Sequence, residues 1–457
     1  GGPTIKSGLI HQANGGFLEL DLLQTLSSPG LFQSIMALVE SQNEGQGMGA
    51  APIYPAGLRG LAMGAAPIAM IPNNTKIIFR TSPELYHLAM SMPAFASHFK
   101  FGVEFLPRLD NSPENIKGYT QFMAYAAHSL TDLFRGNIED MEADFVMHLS
   151  QGAMQAVLRE AAFSQTKLTA RFGAIYDLMK EAMHYAFQKG ATVVERAHIE
   201  WVVADRIKRR SVFPSLYFES YKNGVMNVKT EGKLKGRVNG LAVLGSDLGV
   251  PGVFSAVLSE SKGGVQSSDV KSEGAGMSFK MSVFNTNAWL TEKIGRDLAE
   301  FASTFLKNEQ NYGGIDGDSA TLVNTIANLS ALSGIEVDQQ MAMTGSMSQY
   351  GDAQAIGGVN AKITGWWKLV KERGMTGKQG VVIPASNIND LKLSPEIEAD
   401  IAAGKFHIYS VRSIEEDLFA LGLITKGYDG EFDGWVLDEL MGRALGKLGE
   451  IIPEGSC

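Results

Sequence analysis

The spacing of apolar residues changes character along the chain. Over residues 1–115 short apolar runs alternate with loops. Phe17-Leu18-Glu19-Leu20-Asp21 and Lys76-Ile77-Ile78-Phe79-Arg80 read as strands, and Ser82-Pro83-Glu84-Leu85-Tyr86 opens a helix with Pro83 in its first turn. Between them, residues 44–71 are dominated by Gly, Ala, Met and Pro, with Met-Gly-Ala-Ala-Pro-Ile at 48–53 and again at 63–68. That composition predicts no regular element. The segment reads either as a mobile connector or as an apolar loop that grips unfolded polypeptide. Residues 116–212 are helical: Ile175, Leu178, Met179, Ala182, Met183 and Ala186 recur at i, i+3, i+4 spacing as a core stripe, and Gly190 ends that helix.

From about residue 225 the α/β pattern returns. Val238–Leu244 and Met277–Val283 read as strands, and Trp289–Leu306 as a helix with Leu290, Ile294, Leu298, Ala302 and Phe305 inward. A helix follows Ser319, with Leu322, Val323, Ile326 and Leu329 on one face; Val381–Pro384 and Phe406–Tyr409 are further strands. Ser413 and Glu416 form a capping box for a last helix. With 457 residues, more than one core is needed. The expected fold is an α/β multi-domain protein divided at 1–115, 116–224 and 225–457.

Composition removes several function classes. A net charge of −9 argues against a nucleic-acid surface or an anionic membrane. The sole cysteine, Cys457, rules out an internal disulfide framework or a cysteine-based metal site, and no metal site is expected. The most apolar stretch, Gly60–Ile71, contains Pro67 and falls short of the about 20 residues that span a bilayer. Gly1-Gly2-Pro3-Thr4 shows no signal-peptide pattern, and the missing initiator Met suggests a processed or shortened form. A cytoplasmic location is expected.

The candidate chemistry lies in Gly313-Gly314-Ile315-Asp316-Gly317-Asp318-Ser319-Ala320, where a glycine-rich turn delivers a serine to a helix start. Unpaired amides and the helix dipole there favour a developing oxyanion, although serine in such a place is commonly only an N-cap. None of the eight histidines lies near this segment, and none falls in an H-E-x-x-H pattern. Lys362, just inside a helix with Val359, Ile363, Trp366 and Val370 on its apolar face, is the alternative base. Partial burial would lower its pKa and leave a neutral amine to accept the serine proton, whereas an ordinary surface lysine would stay charged.

Taken in order, Asp316-Gly-Asp-Ser-Ala320, Met343-Thr-Gly345, Ile356-Gly-Gly-Val-Asn-Ala-Lys362 and Val382-Ile-Pro-Ala-Ser-Asn387 closely resemble the proteolytic domain of Lon peptidases. The resemblance covers about 225–450 and extends to the spacing, Lys362 standing 43 residues after Ser319 (362 − 319). It implies a Ser-Lys dyad with Ser319 as nucleophile, Lys362 as general base and Thr344 orienting the amine. Asp316 takes the acidic position of the family's turn, where it could simply hold the loop, and Asp318 supports the site. Arg237-Val238-Asn239-Gly240-Leu241-Ala242 looks like the family's strand beside the cleft, so Val238, Asn239, Gly240 and Leu241 are implied to bind substrate backbone.

The front half resembles the AAA+ module of Lon-like proteins through His11-Gln12-Ala13-Asn14-Gly15-Gly16-Phe17-Leu18, with Asp21 at the Walker B position. Lys76–Leu88 looks like the sensor-1 strand and its following helix. The helical region looks like the lid, with Arg171 at the sensor-2 position, so the nucleotide site reads as a degenerate one of Asp21 and Arg171. No G-x-x-x-x-G-K-[ST] occurs; Gly374 to Lys378 and Gly442 to Lys447 are wrongly spaced or followed. Leu22 follows Asp21 where an ATPase usually carries glutamate, and Phe99-Lys100-Phe101 offers no arginine finger. Without a P-loop nothing cradles phosphates: the site is either lost or begins upstream of Gly1.

The expected function is therefore endoproteolysis of unfolded or loosely folded protein, with no cofactor required and no ATP or Mg used by this chain. The resemblance implies a homo-hexameric ring; peptide substrates are the expected partners, with neither nucleic acid nor membrane. Two other readings stay open: a non-proteolytic chaperone or scaffold of the same fold, and a shortened ATP-dependent Lon protease.

Overall fold

The computed structural model describes residues 8–28, 30–44, 49–53, 69–135, 146–245, 247–259, 261–271, 275–295, 297–300, 302–310, 316–421 and 442–443. The chain divides into two compact units, Gly1–Leu106 and Pro107–Cys457.

In the first unit, strands β1 (Phe17–Asp21), β2 (Gly49–Ile53), β3 (Ala69–Asn73) and β4 (Lys76–Arg80) form two pairs. β1 runs parallel to β4, with Phe17 opposite Lys76 and Asp21 opposite Arg80. Both strands were expected, as was the helix α1 (Pro83–Met90), whose first turn is capped by Ser82 and begun by Pro83. β2 and β3 correct the expectation of an irregular segment: Gly49 to Ile53 pair antiparallel with Asn73 to Ala69. Small residues suit this because Gly49 lies where a Cβ would collide with Ser41 and Gln42 of the preceding helix. The second copy of the repeat, 63–68, is outside the described residues.

The second unit holds a helical layer and a seven-stranded sheet. α2 (Pro113–Arg135), α3 (Gln151–Ala161), α4 (Phe172–Gln188), α5 (Arg196–Arg209) and α6 (Val212–Lys222) follow one another. The stripe from Ile175 to Ala186 is buried against Tyr119, Met123 and Leu130, and Gly190 takes φ +72° two residues past α4. Arg159 fastens this layer to the sheet-bearing part, donating to Glu398 at 2.8 Å and to the Leu393 carbonyl at 3.1 Å.

The sheet comprises β5 (Arg237–Leu244), β6 (Leu248–Ser259), β7 (Gly264–Ser267), β8 (Ser303–Glu309), β9 (Met341–Met343), β10 (Gly380–Pro384) and β11 (His407–Val411), in the spatial order β7-β8-β6-β5-β9-β10-β11. β5, β9, β10 and β11 run parallel, while β6 is antiparallel to both β5 and β8. Side-chain alternation divides the strands between two cores. Val238, Phe254, Met341, Met343 and Val382 pack with α7 (Met277–Ile294) and α8 (Thr321–Ser333). Leu241, Val253, Ala342, Val381 and Ile383 pack with α9 (Val359–Arg373) and with Phe218 and Tyr221 of α6. α8 and α9 therefore cover opposite faces.

Two expectations fail here. Met277–Val283 is the first part of a helix, and Trp289–Leu306 is not continuous: α7 stops at Gly295, which takes φ +73°, and β8 begins at Ser303. The apolar spacing Phe279, Val283, Leu290, Ile294 fits a helical face, whereas Thr304 and Leu306 are buried around an exposed Phe305, the period of a strand. The helix after Ser319 was expected to bury one face, yet every residue of Thr321–Ser333 is buried. Its polar members make internal hydrogen bonds: Asn324 Nδ2 donates to Ser282 Oγ at 3.1 Å, and Thr304 donates to Asn328, while Asn324 Oδ1 is left without a partner.

Candidate active site

Gly317, at φ +112°, turns the chain into a single 3-10 turn, Asp318–Ala320, that runs straight into α8. Ser319 thus sits half-buried in the opening turn, where amides have no partner one turn back. Its backbone is fixed from the β9 side: Gly345 N–H donates to the Ser319 carbonyl at 2.8 Å, and Leu322 N–H donates to the Gly345 carbonyl at 3.1 Å. Gly345 allows this approach, since a Cβ there would collide with the Leu322 side chain. Gly313 to Ile315, the first part of the glycine-rich turn, lie outside the described residues.

Lys362 comes from the other face of the sheet. Gly358, at φ +70°, caps α9 against Val243, and Gly249 and Gly365 let β6 and α9 touch backbone to backbone. That approach buries Lys362 to 3% exposure. Its Nζ donates to Thr344 Oγ1 at 3.0 Å, and Thr344 Oγ1 donates onward to the Ser319 carbonyl at 3.3 Å. Burial lowers the Lys362 pKa from 10.5 to about 8, against an opposing pull from the Asp318 carboxylate. A lysine in this range supplies a useful fraction of neutral amine at neutral to mildly alkaline pH.

Ser319 and Lys362 line one cavity of about 500 Å³, together with Asp316, Gly317 and Asp318. The Ser319 hydroxyl and Lys362 amine are not hydrogen-bonded to each other; the amine is held by Thr344. Asp316 is a loop anchor: its Oδ1 accepts from Ser278 N–H at 3.1 Å and from Gly317 N–H at 2.8 Å. It thereby caps α7, whose own N-cap, Gly276, has no side chain and no room for one. Asp318 Oδ2 accepts from Ser346 Oγ at 2.7 Å.

The expected substrate strand needs correction. Val238 belongs to the core, and Asn239 is buried, its Nδ2 donating to the carbonyls of Gln339 (2.8 Å) and Lys229 (2.9 Å). Gly240 and Leu241 do line the cavity, and the lining continues through Ala242, Val243 and Leu244. β9 pairs only with Asn239 and Gly240, because it ends at Met343. Beyond that point β5 has an unpaired edge among the described residues, facing the cavity, and an extended peptide can hydrogen-bond there.

The wall opposite was not foreseen. Tyr217 of α6, Met226 and Asn308–Gln310 all line the cavity, and nothing local in the sequence marks them. Asp21 and Arg171 fall in different compact units. Asp21 accepts from Gln24 N–H at 2.9 Å as an N-cap, and Arg171 is exposed at the start of α4. Among the described residues no cluster of His, Cys, Asp or Glu is arranged to hold a metal, and no helix is long and apolar enough to cross a membrane.

Comparison with known proteins agrees with this geometry. Residues 241–421 match the Lon protease (S16) C-terminal proteolytic domain, 148–209 the AAA+ ATPase lid domain of archaeal LonB, and 3–106 the LonB-like AAA domain. The chain belongs to the Lon protease family. Among similar proteins, a Lon protease homologue of Haemophilus influenzae is 26% identical over 438 residues, covering 92% of this chain and 68% of its own length. The archaeal Lon protease of Thermococcus kodakarensis is 27% identical over 421 residues, covering 91% and 60%; that of Methanothermobacter thermautotrophicus is 27% identical over 457, covering 98% and 63%. The chain thus spans less than two thirds of these archaeal Lon proteases. The cavity lies within the part that matches the Lon proteolytic domain, except for Tyr217, Met226 and Gly240.

Proposed function

We propose that this Lon-family chain is a serine endopeptidase in which Ser319 attacks the peptide carbonyl and Lys362 takes its proton. The observation that carries the reading is a buried, pKa-lowered lysine lining the same cavity as a serine in the opening turn of a helix. Thr344 receives a hydrogen from Nζ and gives its own to the Ser319 carbonyl, which leaves the lone pair of the neutral amine to accept the serine proton. As Oγ bonds to the carbonyl carbon, the carbonyl oxygen gains negative charge, and the amides at the start of the 3-10 turn stabilise it. The protonated Lys362 then returns its proton to the leaving amine, and the acyl-enzyme is hydrolysed by water activated in the same way.

The cleavable segment is proposed to be extended polypeptide lying along the free edge of β5, which favours unfolded or loosely folded protein. A homo-hexamer remains a proposal from family likeness. No step is routed through ATP: the sequence in hand contains no G-x-x-x-x-G-K-[ST], and Asp21 is engaged as a helix cap. The chaperone reading loses ground because packing alone gives no reason to bury an amine at Lys362. The test is cleavage of a casein-like substrate, with and without ATP, alongside labelling by a fluorophosphonate. Ser319→Ala and Lys362→Ala are each expected to abolish cleavage, and the label to be found on Ser319. Wild-type rates in both variants would end the proposal.

A further inference from the structure

Gln310, the residue after β8, is the sole non-glycine with positive φ among the described residues, at +53°. That conformation is costly for a residue bearing a Cβ and is retained only where surrounding contacts demand it. Here the demand is visible. Gln310 Oε1 accepts from Asn227 N–H at 2.7 Å, and its Nε2 donates to the Val225 carbonyl. One side-chain amide therefore grips the backbone on both sides of Met226. Arg237 adds a second hold by donating to the Asn227 carbonyl, and Met226 N–H donates to the Ser220 carbonyl at 3.0 Å.

The residue so tightly presented is an apolar one, half-buried against the core that contains Phe218, Tyr221 and Trp366. Met226 lines the cavity that holds Ser319 and Lys362, next to Tyr217, Leu241 and Pro251. It also lines a second cavity of about 280 Å³, bounded by the 227–231 segment and Arg373. Met226 is thus the residue common to the two linings. Its thioether is flexible enough to yield to a ligand yet bulky enough to close the gap.

We propose that Met226 sets the size limit of an apolar subsite for a substrate side chain beside the reacting groups, and that Gln310 is the positioning residue that holds it there. This deepens the peptidase reading, because it assigns the substrate an apolar side chain of limited bulk. Shortening Met226, which lines both cavities, is expected to open the subsite toward the second one and admit larger side chains.

The test measures binding, so it does not depend on the chemistry of the dyad. Fluorescein-labelled octapeptides of Gly and Ser carrying one central Ala, Leu or Trp are titrated by polarisation against the full chain bearing Ser319→Ala. The same titration is run with Met226→Ala, Met226→Leu, Gln310→Gly and Gln310→Glu added singly to that background. Met226→Ala is expected to raise the affinity for the Trp peptide relative to the Leu peptide by about tenfold, the scale of a reshaped apolar pocket. Met226→Leu, nearly equal in volume, is expected to keep the parent ratio. Gln310→Gly is expected to shift the ratio in the same direction while leaving the melting temperature unchanged or higher, because glycine relieves the positive φ. Gln310→Glu retains the acceptor for Asn227 but not the donor to Val225, and is expected to fall between. An unmoved Trp-to-Leu ratio in Met226→Ala overturns the proposal. So does a shift in Gln310→Gly accompanied by a fall in melting temperature, which would mark a general loss of structure. Cleavage by the Ser319-intact chain reports separately on the peptidase reading.

Discussion

Replacing Lys362 by Met should make the protein more stable while making it inactive. In the folded chain burial holds the Lys362 pKa at about 8, against 10.5 for an ordinary lysine. At about 1.4 kcal/mol per pKa unit, that difference corresponds to about 3 kcal/mol by which burying the ammonium opposes folding at pH 7, where the group is mostly charged in both states. Met fills a similar volume without charge but forfeits the bond to Thr344, worth about 1 kcal/mol. The net gain expected for Lys362→Met at pH 7 is therefore about 2 kcal/mol.

The pH dependence separates this cause from better packing. Between about pH 8 and pH 10.5 the folded chain holds fewer protons at this site than the unfolded chain, so raising the pH stabilises the wild type. The advantage of Lys362→Met should shrink through that window and vanish near its upper end. Urea unfolding at several pH values measures it, with Trp366 and Trp367, on the same helix as Lys362, as fluorescent reporters. The same titration should appear in wild-type cleavage as a rise with an inflection near pH 8. A variant less stable at pH 7, or an advantage that does not change between pH 7 and pH 10.5, would refute the reasoning.

Further outcomes follow from the same contacts. Thr344→Val removes the acceptor of the Lys362 hydrogen bond, and kcat is expected to fall by about 10²-fold. Because the lost bond favours the ammonium, the inflection of the pH–rate profile should also move to lower pH. Gly249→Ala forces a methyl group into the Ala361 carbonyl on α9. Denaturant unfolding should show a loss of about 1–3 kcal/mol, and cleavage should fall with it as Lys362 is displaced; Gly118→Ala, in a helix with open space around it, should do neither. Asp417 is wholly buried with neither carboxylate oxygen hydrogen-bonded, and burial raises its pKa well above the usual range. Its folded form keeps the proton, so its contribution is present at low pH and is lost as pH rises through the raised value. Asp417→Asn should therefore lose less melting temperature than wild type between pH 5 and pH 8.

Elements whose reading rests on local periodicity were legible in the sequence. β1, β4, β5 and β10 were expected within a residue or two, as was the stripe from Ile175 to Ala186. The failures share a cause. Met277–Val283 was read as a strand, and Met, Phe, Met and Val do alternate there with Ser, Lys and Ser in a strand's period; only the continuation of the helix to Ile294 and the left-handed Gly295 separate helix from strand. Gly49–Ile53 was taken as irregular because its composition is weak in strand formers, yet its partner Ala69–Asn73 supplies the backbone pairing that makes it a strand. Around the candidate site, Ser319, Thr344, Lys362, Asp316 and Asp318 could all be named from ordered motifs. Tyr217, Met226 and Gln310 could not, since they meet only through contacts such as Gln310 to Val225 across 85 residues.

The candidate site exists because of where one short strand stops. β9 alternates Met341 and Met343 toward the α8 core and Ala342 toward the α9 core. Continuing that alternation turns Thr344 toward α9, where it meets Lys362, while the next residue, Gly345, uses its backbone to hold Ser319. One dipeptide therefore connects groups carried on opposite faces of a sheet. Had β9 run on beside β5, its backbone would have occupied the edge along Leu241–Leu244 that the cavity now exposes. The same termination thus creates the gap through which the serine and lysine can approach and the free edge on which a peptide can lie. The glycines follow from this arrangement. Gly345 is small so that the serine turn can come close, and Gly249 and Gly365 are small so that the lysine helix can. They are spacers that set the distance between a nucleophile and its base, which is why they stand beside the reacting residues in the fold although Gly249 and Gly345 lie far from their partners in the chain.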